Sequence, residues 1–135
     1  MSVNRSRPDV TVVAAVIEER DAFLVTRRPQ GVHLAGMWEF PGGKTDGAES
    51  HADALRREIQ EELGADVEVC DLILETTHVY DDRAVRLFFY RCRLLGAPRP
   101  LVGQEMRWVA RAELGSLGFP PADELLVARL MRGGS

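Results

Sequence analysis

Residues 42–65 read GGKTDGAESHADALRREIQEELGA, from Gly42 to Ala65. A glycine turn opens the stretch, and the pattern after it predicts a helix over His51 to Leu63. Ser50 is placed to cap its N-terminus, with Asp53 as the capping-box partner, and Gly64 suits the left-handed position that ends a helix. On a wheel of about 100° per residue, Ala52, Leu55, Ile59 and Leu63 make one apolar stripe, and Glu58, Glu61 and Glu62 make an acidic stripe along its border. Side chains three and four apart share a helix face, so these three carboxylates are crowded together. Glu61 and Glu62 also fall in the last turn, where the helix dipole disfavours anions.

Two readings account for a crowded acidic stripe. It is a solvated face with Arg56 and Arg57 as ion-pair partners, or it is a cation site on the edge of a cleft. Oxygen-only ligands favour a hard divalent ion, Mg²⁺ or Mn²⁺, which would relieve both the mutual repulsion and the clash with the dipole.

Working outward, Val10 to Glu18 and Ala22 to Arg27 read as a strand pair joined by a polar turn, and Met37 to Phe40 as a short strand broken by Pro41-Gly42-Gly43. Beyond the helix, Asp66 to Tyr80 and Ala84 to Leu95 suggest a long hairpin, with a further strand at Met106 to Ala110. Ala112 to Leu117 is a helical turn or two. Pro120-Pro121 then starts a last amphipathic helix with Leu125, Leu126, Ala128 and Leu130 as its apolar side. Strands with helices segregated at two places make an α+β fold, and 135 residues support one domain over 1–135.

Composition narrows the function from another side. A net charge of −4 argues against holding nucleic acid by general electrostatics, which would want a basic face. The polar segment 1–8 is expected to be flexible and shows no secretory signal, and no apolar run reaches the ~20 residues of a membrane span. A cytoplasmic protein is expected, a monomer or a homodimer, with no membrane or stable nucleic-acid partner. Cys70 and Cys92 have no metal-type pairing and read as buried free thiols.

The spacing of the central stretch resembles the signature of the Nudix hydrolases: Gly43, five residues, Glu49, seven residues, Arg57-Glu58-Ile59, one residue, Glu61-Glu62, one residue, Gly64, then Ala65. VVAAVIEE, FLVTRRP, MWEFPGGK and FPPAD are similar in order and spacing to MutT-type nucleoside triphosphate pyrophosphohydrolases, so the likeness covers nearly the whole chain. It implies a mixed β-sheet sandwiched between α-helices, with a Nudix box over residues 43–65. The implied activity is Mg²⁺-dependent cleavage of a nucleoside triphosphate to the monophosphate and pyrophosphate, sanitising oxidised nucleotides such as 8-oxo-dGTP. CTP or a modified dCTP is the alternative substrate. ADP-ribose, a dinucleoside polyphosphate, or nucleotide binding without catalysis are the more distant readings.

By the same resemblance Glu58, Glu62 and the Gly42 carbonyl would ligate the metal, with Glu61 as a ligand directly or through water, and Arg57 would orient the glutamates while Glu49 braces the box loop. Arg28 matches a substrate-contact position and Lys44 is placed to meet a phosphate. With Trp108 aligned to the family's tryptophan, Arg107 takes the place of the usual general-base glutamate, which leaves Glu105 or a box glutamate for that role. Asp123 stands where the MutT pattern has a base-reading asparagine. An ionised aspartate only accepts hydrogen bonds, so it would suit base edges that present donors, although it also fits as a helix-start residue. Phe119 and Trp38 serve either as base-stacking rings or as core.

Overall fold

In the computed structural model, which describes residues 9–27 and 36–133, the first strand, β1 (Asp9–Glu19), is the spine of a seven-stranded mixed sheet. One edge of β1 runs parallel to β6 (Ala84–Leu94) from Asp9↔Ala84 to Ile17↔Cys92. Its other edge is divided. Val12 to Ala14 pair with β4 (Gly42–Lys44), and Glu18 and Glu19 pair with the start of β2 (Ala22–Arg27). The expected first hairpin is therefore only its tip, turned by Arg20 and Asp21 at positive φ, after which β2 leaves to pair with β3 (Trp38–Glu39) and β7 (Glu105–Ala110). β5 (Val67–Val79) completes the long hairpin with β6 at the sheet's outer edge.

Strand alternation sorts β1 onto two cores. Val13, Ala15 and Ile17 face the helix α1 (His51–Leu63) and pack with its Ala54, Leu55, Ile59 and Leu63. Ala14 and Val16 face the other way, toward Leu114 of a 3₁₀ helix (Arg111–Ser116) and Leu126, Val127 and Leu130 of α2 (Glu124–Met131). The architecture is the expected α+β sandwich. Among the described residues no helix is long and apolar enough to cross a membrane.

α1 has the predicted limits because both ends are closed locally. The Ser50 side chain accepts the Asp53 N–H at 3.1 Å, and Gly64, at φ 64°, donates to the Gln60 carbonyl at 3.0 Å. His51 fastens the first turn to the sheet through its Nδ1 contact with the Tyr90 hydroxyl at 2.7 Å.

Four readings change. Instead of a break at Pro41-Gly42-Gly43, Gly42–Lys44 form a strand, because β1 supplies the pairing that the glycines' own propensity does not. In α2 the buried stripe is Leu126, Val127 and Leu130, whereas Leu125 is 64% exposed and Ala128 is also open. Preceding α2, Pro121–Asp123 form a 3₁₀ turn, and its last residue, Asp123, lies three positions before Leu126 on the buried side. Cys92 is buried as expected, but Cys70 is exposed, on an edge strand at an irregularity between Val69 and Leu72.

Candidate active site

The site begins with the pairing phase of β4. Ala15 N–H donates to the Pro41 carbonyl at 2.8 Å and Thr45 N–H to the Thr11 carbonyl at 3.0 Å, with Gly43 opposite Val13 between them. Hydrogen-bonded pairs alternate along an antiparallel ladder, so the backbone groups of Gly42 and Lys44 point away from β1, toward the box. The Lys44 carbonyl accepts from Arg57 Nη2 at 3.2 Å, and the Gly42 backbone hydrogen-bonds to the Glu62 carboxyl. Glycine is required at position 42, where the clash is with backbone, while at position 43 a side chain would displace the Glu58 carboxylate. A Cβ at Gly42 would overlap the Val13 carbonyl, and one at Gly43 would overlap the Glu58 carboxylate.

Arg57 holds the box together. Its Nε and Nη2 grip Glu49 at 2.6 and 2.8 Å, and Nη1 reaches Glu58 Oε2 at 2.9 Å and Glu61 Oε1 at 3.5 Å. The two-point grip uses the planar guanidinium fork, which a lysine does not offer. Hydrogen bonding to Glu49 and Glu58 raises the Arg57 pKa, and the same bond to Arg57 lowers that of Glu49. Glu49 also accepts the Asp46 N–H at 3.3 Å, which braces the loop before α1.

Glu62 is in the opposite condition. Burial first, then the charge of Glu58 and a hydrogen bond to it, push its carboxyl up to about 8, with Glu39 adding to the effect. Two carboxylates in hydrogen-bonding contact require a proton between them, and a divalent cation would take that proton's place. Hard oxygen donors from Glu58 and Glu62 and a carbonyl free of the β1 ladder at Gly42 fit Mg²⁺ or Mn²⁺. Among the described residues no three acidic, His or Cys side chains are already gathered into a finished metal cage. Glu61 is the most open of the three stripe glutamates, with its side chain 58% exposed.

A cavity of about 430 Å³ lies against these groups, lined by Gly42, Gly43, Lys44 and Glu62 and, from the sheet, by Thr26 and Glu39. A second, of about 190 Å³, is lined by Asp123, Tyr80, Leu87, Phe89 and Pro120. Val12, Ala14, Glu39 and Phe40 belong to both walls, so the two hollows adjoin. Asp123, 6% exposed, has its carboxyl pushed up to about 7 by burial and then by Glu39. Glu39 and the buried Thr26 are the residues sequence reasoning missed. They are register partners across β2 and β3, a signal that appears only once the two strands are paired.

The other expected site residues are dispersed. Glu105 pairs with Arg27 at 2.6 Å and Arg107 at 3.2 Å, and both guanidinium groups lie over the Trp38 ring, at 5.2 and 4.8 Å. Strand alternation puts Glu105 and Arg107 on the side of Val109 and Val25, whereas Met106 and Trp108 share the α1 side. Trp38 is buried core beneath this cluster. Phe119 stacks on Phe40 with centroids 5.2 Å apart, at the edge of the α2-side core. Arg28 lies outside the described residues.

Residues 12–129 match the family model for the NUDIX domain. The chain belongs to the Nudix family. It is 34% identical over 121 residues to the 8-oxo-dGTP diphosphatase of Escherichia coli, covering 89% of this chain and 94% of that protein. To the CTP pyrophosphohydrolase of the same organism it is 32% identical over 123 residues, covering 90% and 91%. The solution structure of the E. coli ORF135 protein superposes with a TM-score of 0.84 at 31% identity, covering 94% of this chain and 91% of that one. This Nudix protein is therefore a MutT-like hydrolase with the pyrophosphohydrolase fold that its box predicted.

Proposed function

We propose that this Nudix hydrolase cleaves a nucleoside triphosphate to the monophosphate and pyrophosphate, with an oxidised purine triphosphate such as 8-oxo-dGTP as its substrate and Mg²⁺ as its metal. The observation that carries the reading is the pair of adjoining hollows, one walled by Gly42, Lys44 and Glu62 and the other by Asp123, with Glu39 and Phe40 between them. A phosphate chain suits the first and a base the second. When bound, the cation would neutralise phosphoryl oxygens and lower the pKa of an attacking water. It would be held by Glu58, Glu62 and the Gly42 carbonyl, with Glu61 beside them.

The chain's own residues supply the rest. Arg57 fixes Glu49 and Glu58 in place, and Lys44, exposed at the cavity rim, contributes positive charge for the phosphates. Glu61 is the favoured general base, because it is open to solvent and bound only loosely to Arg57, whereas Glu105 is tied up by two arginines on the sheet face opposite α1. Asp123, buried and raised to about 7, changes between hydrogen-bond donor and acceptor near neutral pH, which suits a purine edge that presents an N–H.

CTP is the second reading, because the cytosine amino group is also a donor to an ionised Asp123. A panel of dGTP, 8-oxo-dGTP, CTP and 5-substituted dCTP, assayed for pyrophosphate with the nucleotide product identified by mass, separates the two. Turnover confined to ADP-ribose or dinucleoside polyphosphates would refute both.

A further inference from the structure

The C-terminal end of α1 is closed by a loop rather than by water. The last carbonyls of a helix have no partner within it. Here the Leu63 carbonyl accepts Arg99 N–H at 2.8 Å, and the Glu62 carbonyl accepts Leu101 N–H at 3.0 Å. Leu101 also packs against Gly64, where an added Cβ would stand 3.0 Å from its Cδ1. The Glu62 and Leu63 carbonyls thus each have a backbone donor already. Gln104 adds a second donor to the Glu62 carbonyl, Nε2 at 3.1 Å, while its Oε1 accepts Val102 N–H at 3.0 Å.

A side chain with its donor on the helix and its acceptor on the loop is a strut of fixed length between them. Its place in the fold is specific. Gln104, Val102 and Glu62 all line the 430 Å³ cavity, so the strut stands in the wall of the site at the main chain of a proposed metal ligand. One donor on a carbonyl leaves the peptide plane free to rock, whereas two from different directions fix it. Helix ends fray most readily, and a carboxylate that must meet a cation at a set distance tolerates little such motion. Groups of this kind, outside the ligands themselves, typically govern metal affinity or activity by about 10- to 100-fold.

We propose that Gln104 is a positioning residue for Glu62, acting through the Glu62 backbone to hold its carboxylate toward Gly42 and Glu58. The inference rests on the metal-dependent reading of the box. Q104M keeps the length and volume of the side chain and removes both hydrogen bonds. L101A removes the apolar contact on Gly64 and leaves both Gln104 bonds intact, so it serves as the control for a looser helix end. Mn²⁺ is titrated into metal-free full-length protein and the free ion is followed by electron paramagnetic resonance, beside kcat, KM and the melting temperature.

The expected result for Q104M is Mn²⁺ affinity and kcat both reduced by about tenfold or more, with KM for the nucleotide unchanged. L101A should lower the melting temperature at least as much and leave Mn²⁺ affinity near the parent value. Parental Mn²⁺ affinity in Q104M overturns the proposal, as does an equal loss in L101A. If the parent protein binds Mn²⁺ but releases no pyrophosphate from any triphosphate, the reaction reading fails while the titration still decides the role of Gln104.

Discussion

Replacing Asp123 with Asn tests the electrostatics of the hollow it lines without changing its shape. In the folded protein the Asp123 carboxyl stands at about 7, against an ordinary 3.8, because burial and Glu39 disfavour its charge. The folded state therefore keeps a proton that the unfolded chain loses above pH ~3.8, and stability falls as pH rises from there to about 7. At about 1.4 kcal/mol per pH decade the full penalty is roughly 4 kcal/mol, of which only the first third or so has accrued by pH ~5. Asn cannot ionise, so the stability of D123N relative to the parent should rise by about 2–3 kcal/mol between pH ~5 and pH ~8. Comparing two pH values cancels any fixed packing difference between the side chains. Urea unfolding of metal-free protein, followed by tryptophan fluorescence at both pH values, measures the change. A relative stability that stays constant would refute the claim that Asp123 is held protonated by its surroundings.

Three further perturbations probe the box. E62Q should reduce Mg²⁺-dependent pyrophosphate release by about 10³-fold or more. Because the folded Glu62 stands at about 8, the metal-free parent should lose stability between pH ~4.5 and ~8, and E62Q should flatten that slope in thermal melts with chelator present. R57K keeps the charge but loses the fork on Glu49; a 10- to 100-fold drop in kcat is expected, roughly the cost typical of a group that orients metal ligands, with little change in KM. L55A removes a fully buried contact between α1 and β1, and chemical denaturation should show a loss of about 2–4 kcal/mol.

Features set by local chemistry were legible in the sequence, and those set by pairing were not. α1 runs from His51 to Leu63 as expected because Ser50 and Gly64 close it with their own backbone and side-chain bonds. The acidic stripe follows from helical spacing, whereas the Arg57 grip on Glu49 and Glu58 is implied only by the resemblance to the Nudix signature. β4 is not legible because Gly42 and Gly43 carry no strand pattern, and only the β1 partner makes them one. Glu39 is illegible for the same reason: its place between two hollows depends on lying across from Thr26. The orientation of Glu105 was within reach, since alternation in EMRWVA puts Trp108 and Glu105 on opposite faces. For Asp123 the sequence leaves a base-reading residue and a helix-start acid both open, and only the phase set by Leu126 and Leu130 shows that it turns inward.

The parallel register of β1 with β6 also dictates an order of assembly. Every residue of β1 from Asp9 to Ile17 finds its β6 partner 75 positions later in the chain. Emerging from a ribosome, the box helix and Gly42 to Lys44 are complete long before β6 exists, yet β4 lies beside β1, and β1 has no full-length neighbour until residue 92 is available. Contacts so distant in sequence carry a large loop-closure cost and form slowly. The box carboxylates are thus brought against β4 late, and nascent chains that end before β6 should not yet hold them there.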